Sequence, residues 1–266
     1  MLGAMAELNG RPVDMAELSA LALTNYGHFT TLRVEDGRVR GLALHLDRLD
    51  RDCRALFGAE LDPDRVRALL RRLAPADGTA TMRVTVFDPA LDIGRPDRAG
   101  DPRILVTRRP ASSGPLPPLR VRSVRYEREA PEIKSVGLFG ALRQRRAARQ
   151  AGFDDALFVG ADGLVSEGAT WNIGFLGGEG DGDGTVVWPQ APCLPGVTMR
   201  LLMAAHEHRL APVAAADVGS SRAAFATNAA IGVRAVTAVD RTEFPAHHPA
   251  VELLRETYAA LPGDLL

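Results

Sequence analysis

One residue stands out by its type. Of the 32 lysine and arginine residues, 31 are arginine, and the single lysine is Lys134, within Pro131-Glu132-Ile133-Lys134-Ser135-Val136-Gly137-Leu138. A guanidinium stays protonated and forms no imine, whereas a primary amine can lose its proton by desolvation and attack a carbonyl or an aldehyde cofactor. Lys134 is therefore the candidate covalent residue, set against the plainer reading of a surface lysine left by chance. Amino-group chemistry also needs an electron sink, an anchor for it and a dry pocket. Glu167 ends a hairpin strand ahead of Gly168, where its carboxylate can hold a pyridinium nitrogen protonated. Gly196-Val197-Thr198 opens a helix, so free N–H groups and the Thr198 hydroxyl make an anion site without side-chain charge. Arg48 can add the matching charge through its two-pronged guanidinium. Each has an alternative: Glu167 as a turn residue, Thr198 as an ordinary first-turn residue, and Arg48 as the partner of Asp47 or Asp52.

The elements that must position these groups follow from pattern. Asn9-Gly10 between short apolar runs signals a hairpin. A strand is expected over 28–34, a turn at Glu35-Asp36-Gly37 and a partner strand over 38–42. Leu42, Leu46, Leu49, Cys53 and Leu56 form one helical stripe that Gly58 ends. Asp62-Pro63 caps and opens a second helix through about Leu73. Strands are expected over 79–87, 103–107 and 119–124, a helix over 138–151, and a hairpin of 156–159 with 164–167. Strands over 171–176 and 185–188 flank Gly177–Gly184. That glycine run lacks the Lys-Ser/Thr of a phosphate loop and the terminal Glu of a calcium loop, so it reads as a flexible hairpin tip. A helix from Leu194-Pro195-Gly196 through about His208, strands over 223–227 and 233–239, and a helix over 249–260 complete the chain. The Pro/Gly/Ser-rich segment 110–118 marks a boundary: a small N-terminal domain over 1–112, a linker over 113–118, and a larger domain over 119–266 that carries Lys134.

Composition narrows the class. Net charge is −1, and basic residues alternate with acidic ones, as in Asp47-Arg48-Leu49-Asp50-Arg51-Asp52, which reads as a solvated helix face. Neither a nucleic-acid nor a membrane partner is expected. No window reaches the about 18 apolar residues of a membrane span, and no signal peptide is evident, so a cytoplasmic protein is expected. Cys53 and Cys193 are far apart and read as packing residues. His206, His208, His247 and His248 lack metal-ligand spacing, and no metal is expected.

In order, Lys134 with its following helix, Ala151-Gly-Phe-Asp-Asp-Ala-Leu-Phe, Val165-Ser-Glu-Gly-Ala-Thr-Trp-Asn-Ile, Leu194-Pro-Gly-Val-Thr-Met-Arg and Ala226-Thr-Asn-Ala-Ala span most of the chain. Together they resemble the motifs of the class IV, fold-type IV pyridoxal-phosphate enzymes. That group includes branched-chain and D-amino-acid aminotransferases and aminodeoxychorismate lyase. The stretch Gly27 to Gly37 and His45-Leu-Asp-Arg-Leu49 are similar to the small domain of the lyase branch. The resemblance implies an α+β fold, a small α/β domain and a larger β-rich one with pyridoxal 5′-phosphate between them, in a homodimer. It implies Lys134 as Schiff-base lysine and proton carrier, and Glu167 as partner of the pyridine nitrogen. Arg48, Val197, Thr198, Thr227 and Asn228 are implied at the phosphate, and Leu194 against the ring. Tyr26, His28, Thr30, Arg83 and Arg125 are candidates for the substrate side. Phe139 stands where branched-chain enzymes carry a tyrosine bonded to the cofactor phenolate. The leading expectation is amino transfer between a small amino donor and a 2-oxo acid or related carbonyl. Pyruvate-releasing β-elimination and a cofactor-free binding relative are the alternatives.

Overall fold

The computed structural model describes residues 5–98, 100–111, 114, 116–177 and 184–266. The chain divides into two compact units, one of residues 1–112, 133–137 and 262–266, the other of 113–132 and 138–261. The sequence placed the lysine stretch in the second domain; backbone pairing to the first sheet draws it, with the last residues, into the first unit.

In the first unit β1 (Met5–Leu8) turns into β2 (Arg11–Pro12) through Asn9 and Gly10, both at positive φ, as a two-residue hairpin turn requires. The helix α1 (Met15–Thr24) leads to β3 (His28–Glu35), which turns through Asp36 and Gly37, again at positive φ, into β4 (Arg38–Arg40). Then come α2 (Leu42–Phe57), α3 (Pro63–Leu73), β5 (Thr79–Phe87) and β6 (Arg103–Pro110). Gly58 at positive φ ends α2, and Asp62, accepting from Asp64 N at 2.9 Å, caps α3 ahead of Pro63.

The second unit runs through β7 (Leu119–Arg125), α4 (Phe139–Gln150), β8 (Asp155–Val159), β9 (Val165–Gly168), β10 (Asn172–Leu176) and β11 (Val186–Pro189). It continues with α5 (Val197–Ala205), β12 (His208–Ala211), β13 (Ala223–Asn228), β14 (Gly232–Val239), β15 (Thr242–Glu243) and α6 (Pro249–Ala260). The final strand β16 (Gly263–Leu265) returns to the first sheet.

Among the described residues the first sheet has the order β16-β4-β3-β5-β6-β1-β2 and is antiparallel throughout. The second, β12-β11-β10-β13-β14-β7-β8-β9 with β15 beside β14, is mixed: β7 runs parallel to both β8 and β14, and β12 to β11. Alternation along β3 sends Leu32 and Val34 to one face. There, with Met82, Val84 and Val86 of β5, they meet the apolar stripes of α2 and α3. Each large side chain buried there contributes roughly 1.5–3 kcal/mol of transfer free energy. In the second unit Trp171, Ile173 and Phe175 enter one core, and Leu176, Trp188 and Phe225 another.

One expectation changes, two elements are new, and two expectations fall on residues that are not described. The helix expected through His208 stops at Ala205, and His208–Ala211 instead pairs parallel to β11. The helix α1 and the strand β16 were not foreseen. The expected hairpin tip at Gly177–Gly184 lies, over 178–183, outside the described residues, as do positions 113 and 115 of the expected linker. Among the described residues no helix is long and apolar enough to cross a membrane.

Candidate active site

The lysine stretch runs antiparallel to the start of β3, with His28 bridged to Ser135. Phe29 N donates to Lys134 O at 2.9 Å, and Val136 N donates to Gly27 O at 3.0 Å. The Lys134 amide is held from a third direction, donating to Asp52 Oδ2 at 3.0 Å. Its Nζ lies 4.8 Å from the centroid of the Phe29 ring, and the Arg83 guanidinium carbon lies 3.6 Å from the same centroid. Arg83 donates to Thr85 Oγ1 at 3.0 Å, and among the described residues no carboxylate pairs with it. Burial, with the like charge of Arg109, lowers Arg83 to about 10.

On α2 the residues His45, Arg48 and Asp52 are spaced by three and four, so they share one helical face beside the apolar stripe. All three are buried, and so are His28 and Thr30, which alternate onto the facing side of β3. This corrects the sequence reading of 47–52 as a solvated face: Asp47, Asp50, Arg51 and Arg54 are not buried, whereas Arg48 and Asp52 point inward. Arg48 Nη2 donates to Thr30 Oγ1 at 2.7 Å, and Thr30 Oγ1 lies 2.7 Å from His45 Nδ1. A guanidinium only donates, so Thr30 Oγ1 accepts from Arg48 and keeps its own proton available for Nδ1. Burial, then the positive charges of Arg48 and Lys134, keep His45 well below its usual range. Burial likewise lowers His28 to about 4, opposed by Asp52 and reinforced by Arg48. Tyr26, at the entrance to β3, donates its hydroxyl to Leu56 O at 3.2 Å and packs edge-on against Phe57.

In the second unit Glu167 lies on β9, buried, and both its oxygens are engaged. Oε1 accepts from Arg128 Nη1 at 3.1 Å and Oε2 from Leu194 N at 3.2 Å. Leu194 is thereby fixed through its amide, and through its carbonyl, which accepts from Asn172 Nδ2 at 2.7 Å. Next to it Cys193 is raised to about 11, mainly by burial and then by the negative charge of Glu167.

Asn172 also governs the start of α5. A Cβ at position 196 would meet Asn172 Oδ1 at 2.0 Å, so only glycine fits there, and Gly196 gives the helix no side-chain cap. The first-turn N–H groups are left for another acceptor. Thr198 stands in that first turn, and Thr227 pairs across the sheet with Asn172. Both threonines are buried, and among the described residues neither hydroxyl has a hydrogen-bond partner. Two orphaned hydroxyls at an uncapped helix start fit an anion. Val197 is buried beside them. The Asn228 side chain accepts from Ala230 N and Ile231 N and donates to Thr170 O, so it shapes the turn after β13. Arg125 donates to Ala161 O at 2.6 Å, in the turn of the β8–β9 hairpin, and Phe139 is exposed at the start of α4.

Sequence reasoning noted His45 only within a motif and Asp52 only as an alternative partner of Arg48, and it passed over Arg128. The spacing 45–48–52 was a legible signal for the first two; for Arg128 the sequence held none.

Mixed helix and sheet in this two-unit arrangement is the architecture of fold-type IV pyridoxal-phosphate enzymes. Residues 27–239 match the class IV amino-transferase family, and the chain belongs to that family. It is an enzyme of that class, and pyridoxal 5′-phosphate is its cofactor. The orphaned Thr198 and Thr227 hydroxyls fit the phosphate of that group. A branched-chain aminotransferase from the archaeon Thermoproteus uzoniensis is similar in fold, with a TM-score of 0.83 at 20% identity over 97% of this chain and 94% of that one. The pyridoxal-phosphate-bound form of a hypothetical aminotransferase from Mycobacterium tuberculosis gives 0.77 at 21%, over 97% and 98%. A fold IV transaminase from Curtobacterium pusillum gives 0.75 at 24%, over 91% and 88%. Among curated proteins none matches the chain.

Proposed function

We propose that the protein moves an amino group between an amino donor and a 2-oxo acid or a related carbonyl compound, with Lys134 as the covalent residue. The observation that carries this reading is the shared Phe29 ring. The only side-chain primary amine and a cation without a carboxylate partner among the described residues stand 4.8 and 3.6 Å from one centroid. An amine that attacks a carbonyl, beside a charge that accepts a carboxylate, suits an amino acid or oxo acid. Pyridoxal phosphate, when bound, supplies the sink for the electron pair left as the substrate α-hydrogen departs.

The chain's own residues do the rest. With the cofactor bound, Lys134 Nζ would take the α-proton and carry it to C4′, the shift that separates amino transfer from simple exchange. Glu167, oriented by Arg128 and the Leu194 amide, would keep a proton on the ring nitrogen. The start of α5 with Val197, Thr198 and Thr227, and Arg48 on α2, would hold the phosphate, while Leu194 would pack on the ring and Asn228 supports the turn. Arg83 takes a substrate carboxylate; Tyr26, His28 and Thr30 shape the surroundings of the lysine stretch.

The test follows cofactor absorbance in the holoenzyme. Amino donors alone are expected to convert it to the amino form, and a 2-oxo acid to restore it. Arg83→Gln is expected to raise KM for carboxylate substrates by about tenfold or more. No conversion by any donor, with pyruvate released from aminodeoxychorismate, overturns amino transfer in favour of elimination.

A further inference from the structure

Asp52 has a feature that its fold alone does not require. It is 1% exposed, on a helix face that meets β3, and a buried carboxylate is costly unless its oxygens are bonded. Oδ1 accepts from Arg51 Nε at 3.1 Å and Nη2 at 2.7 Å; Arg51 is half-exposed and brings its charge in from the surface. Oδ2 accepts from the backbone amide of Lys134 at 3.0 Å, 82 residues away in sequence.

Two further bonds, backbone to backbone, hold this peptide segment: Phe29 N to Lys134 O and Val136 N to Gly27 O. The bond from Asp52 comes from a side chain. It ties the lysine to α2, while the other two tie it to β3. The Cα of Lys134 is thus held from both sides of its own peptide units. A side chain that must present its amine to one atom profits most where its Cα cannot drift, because a displacement of about 1 Å costs a large factor in rate.

We propose that Asp52 is a positioning residue for Lys134: its Oδ2 clamps the lysine's backbone amide and so presets the trajectory of Nζ. This rests on the covalent role proposed for Lys134. The clamp acts on the covalent step and leaves phosphate recognition alone, because Arg48, one helical turn earlier on α2, is held separately by Thr30.

The test measures two things in the purified apo form. One is the rate at which added pyridoxal phosphate develops the visible band that marks covalent capture. The other is the affinity for pyridoxine 5′-phosphate, which has the same phosphate but no aldehyde. Asp52→Ala is expected to slow capture by about tenfold, the scale of a lost charge-assisted hydrogen bond, with pyridoxine 5′-phosphate affinity changed less than about twofold. Asp52→Asn, which keeps an oxygen for the Lys134 amide, is expected to recover most of the rate. Should Asp52→Ala not fold, Asp52→Ser, one bond too short to reach the amide, is read the same way. Capture at the wild-type rate without the carboxylate overturns the proposal. So does an equal loss of both measurements, which marks a general structural role. A wild type that binds pyridoxine 5′-phosphate yet never develops the band instead overturns the covalent role of Lys134.

Discussion

His28 and His45 lie in the polar seam between α2 and β3, and burial has the same consequence for both. The folded protein holds His28 at about 4, against 6.5 in an open chain. Between those values the unfolded chain binds a proton that the folded one does not, so stability falls as pH drops from about 6.5 to about 4. Above that window His28 is neutral in both states and contributes no pH dependence. The span corresponds to about 3 kcal/mol by linkage, and His45, also lowered, adds in the same direction. Urea unfolding of the apo protein at a series of pH values is expected to show this fall, and His28→Leu to make it shallower, with the His45 share remaining. A wild-type stability that stays constant across the window contradicts neutral burial. The histidines were only partly legible in sequence. His28 was marked as a substrate-side candidate and is fully buried against α2, while His45 was noted only as part of a motif. Whether a polar residue on a charged helix points inward depends on the polar groups that β3 sets opposite it, and those become visible only once strand and helix are paired.

At the scale of elements, the helices with local signals were readable almost to the residue. The helix α3 begins at Pro63 behind Asp62, and α6 spans Pro249–Ala260 as expected. The helix α1 was missed although Asp14 and Glu17 form a complete capping box, because its apolar residues show no stripe; Met15 and Leu23 are exposed. The strands β12 and β16 carry little local strand preference. They exist because β11 and β4 offer unpaired edges, a property of distant chain. The return of β16 also repairs α2. That helix starts after Gly41, at positive φ and with no capping side chain, and its first amide, Leu42 N, donates to Asp264 Oδ2 at 3.1 Å. A carboxylate at a helix N-terminus satisfies an orphan donor and complements the dipole. Asp264→Ala is expected to lower stability by about 1 kcal/mol, with Asp264→Asn losing less, both measured by denaturant unfolding. An alanine variant as stable as the wild type removes the capping role.

For the molecule as a whole, the order of the motifs made the family and the cofactor legible, since those motifs report backbone positions that fold-type IV enzymes share. Substrate identity was not legible, because it depends on which face of a strand a side chain takes; Arg83 and Arg125 looked alike in sequence, yet one lies over Phe29 and the other binds a turn carbonyl. Composition offers a test that uses the entire chain. Lys134 is the single lysine, so apart from the N-terminal amine it is the only primary amine the protein has. Borohydride reduction of the holoenzyme makes a covalent lysine–cofactor link permanent, and mass spectrometry then reads its position without any choice among competing lysines. One phosphopyridoxyl group per chain is expected, on the peptide containing Lys134. Lys134→Arg keeps the positive charge but cannot form the link, so it is expected to carry no label and to lose turnover, while still binding pyridoxine 5′-phosphate through the groups assigned to the phosphate. Label confined to the N-terminus, or full turnover in Lys134→Arg, would leave the chain with its fold and without the chemistry proposed for it.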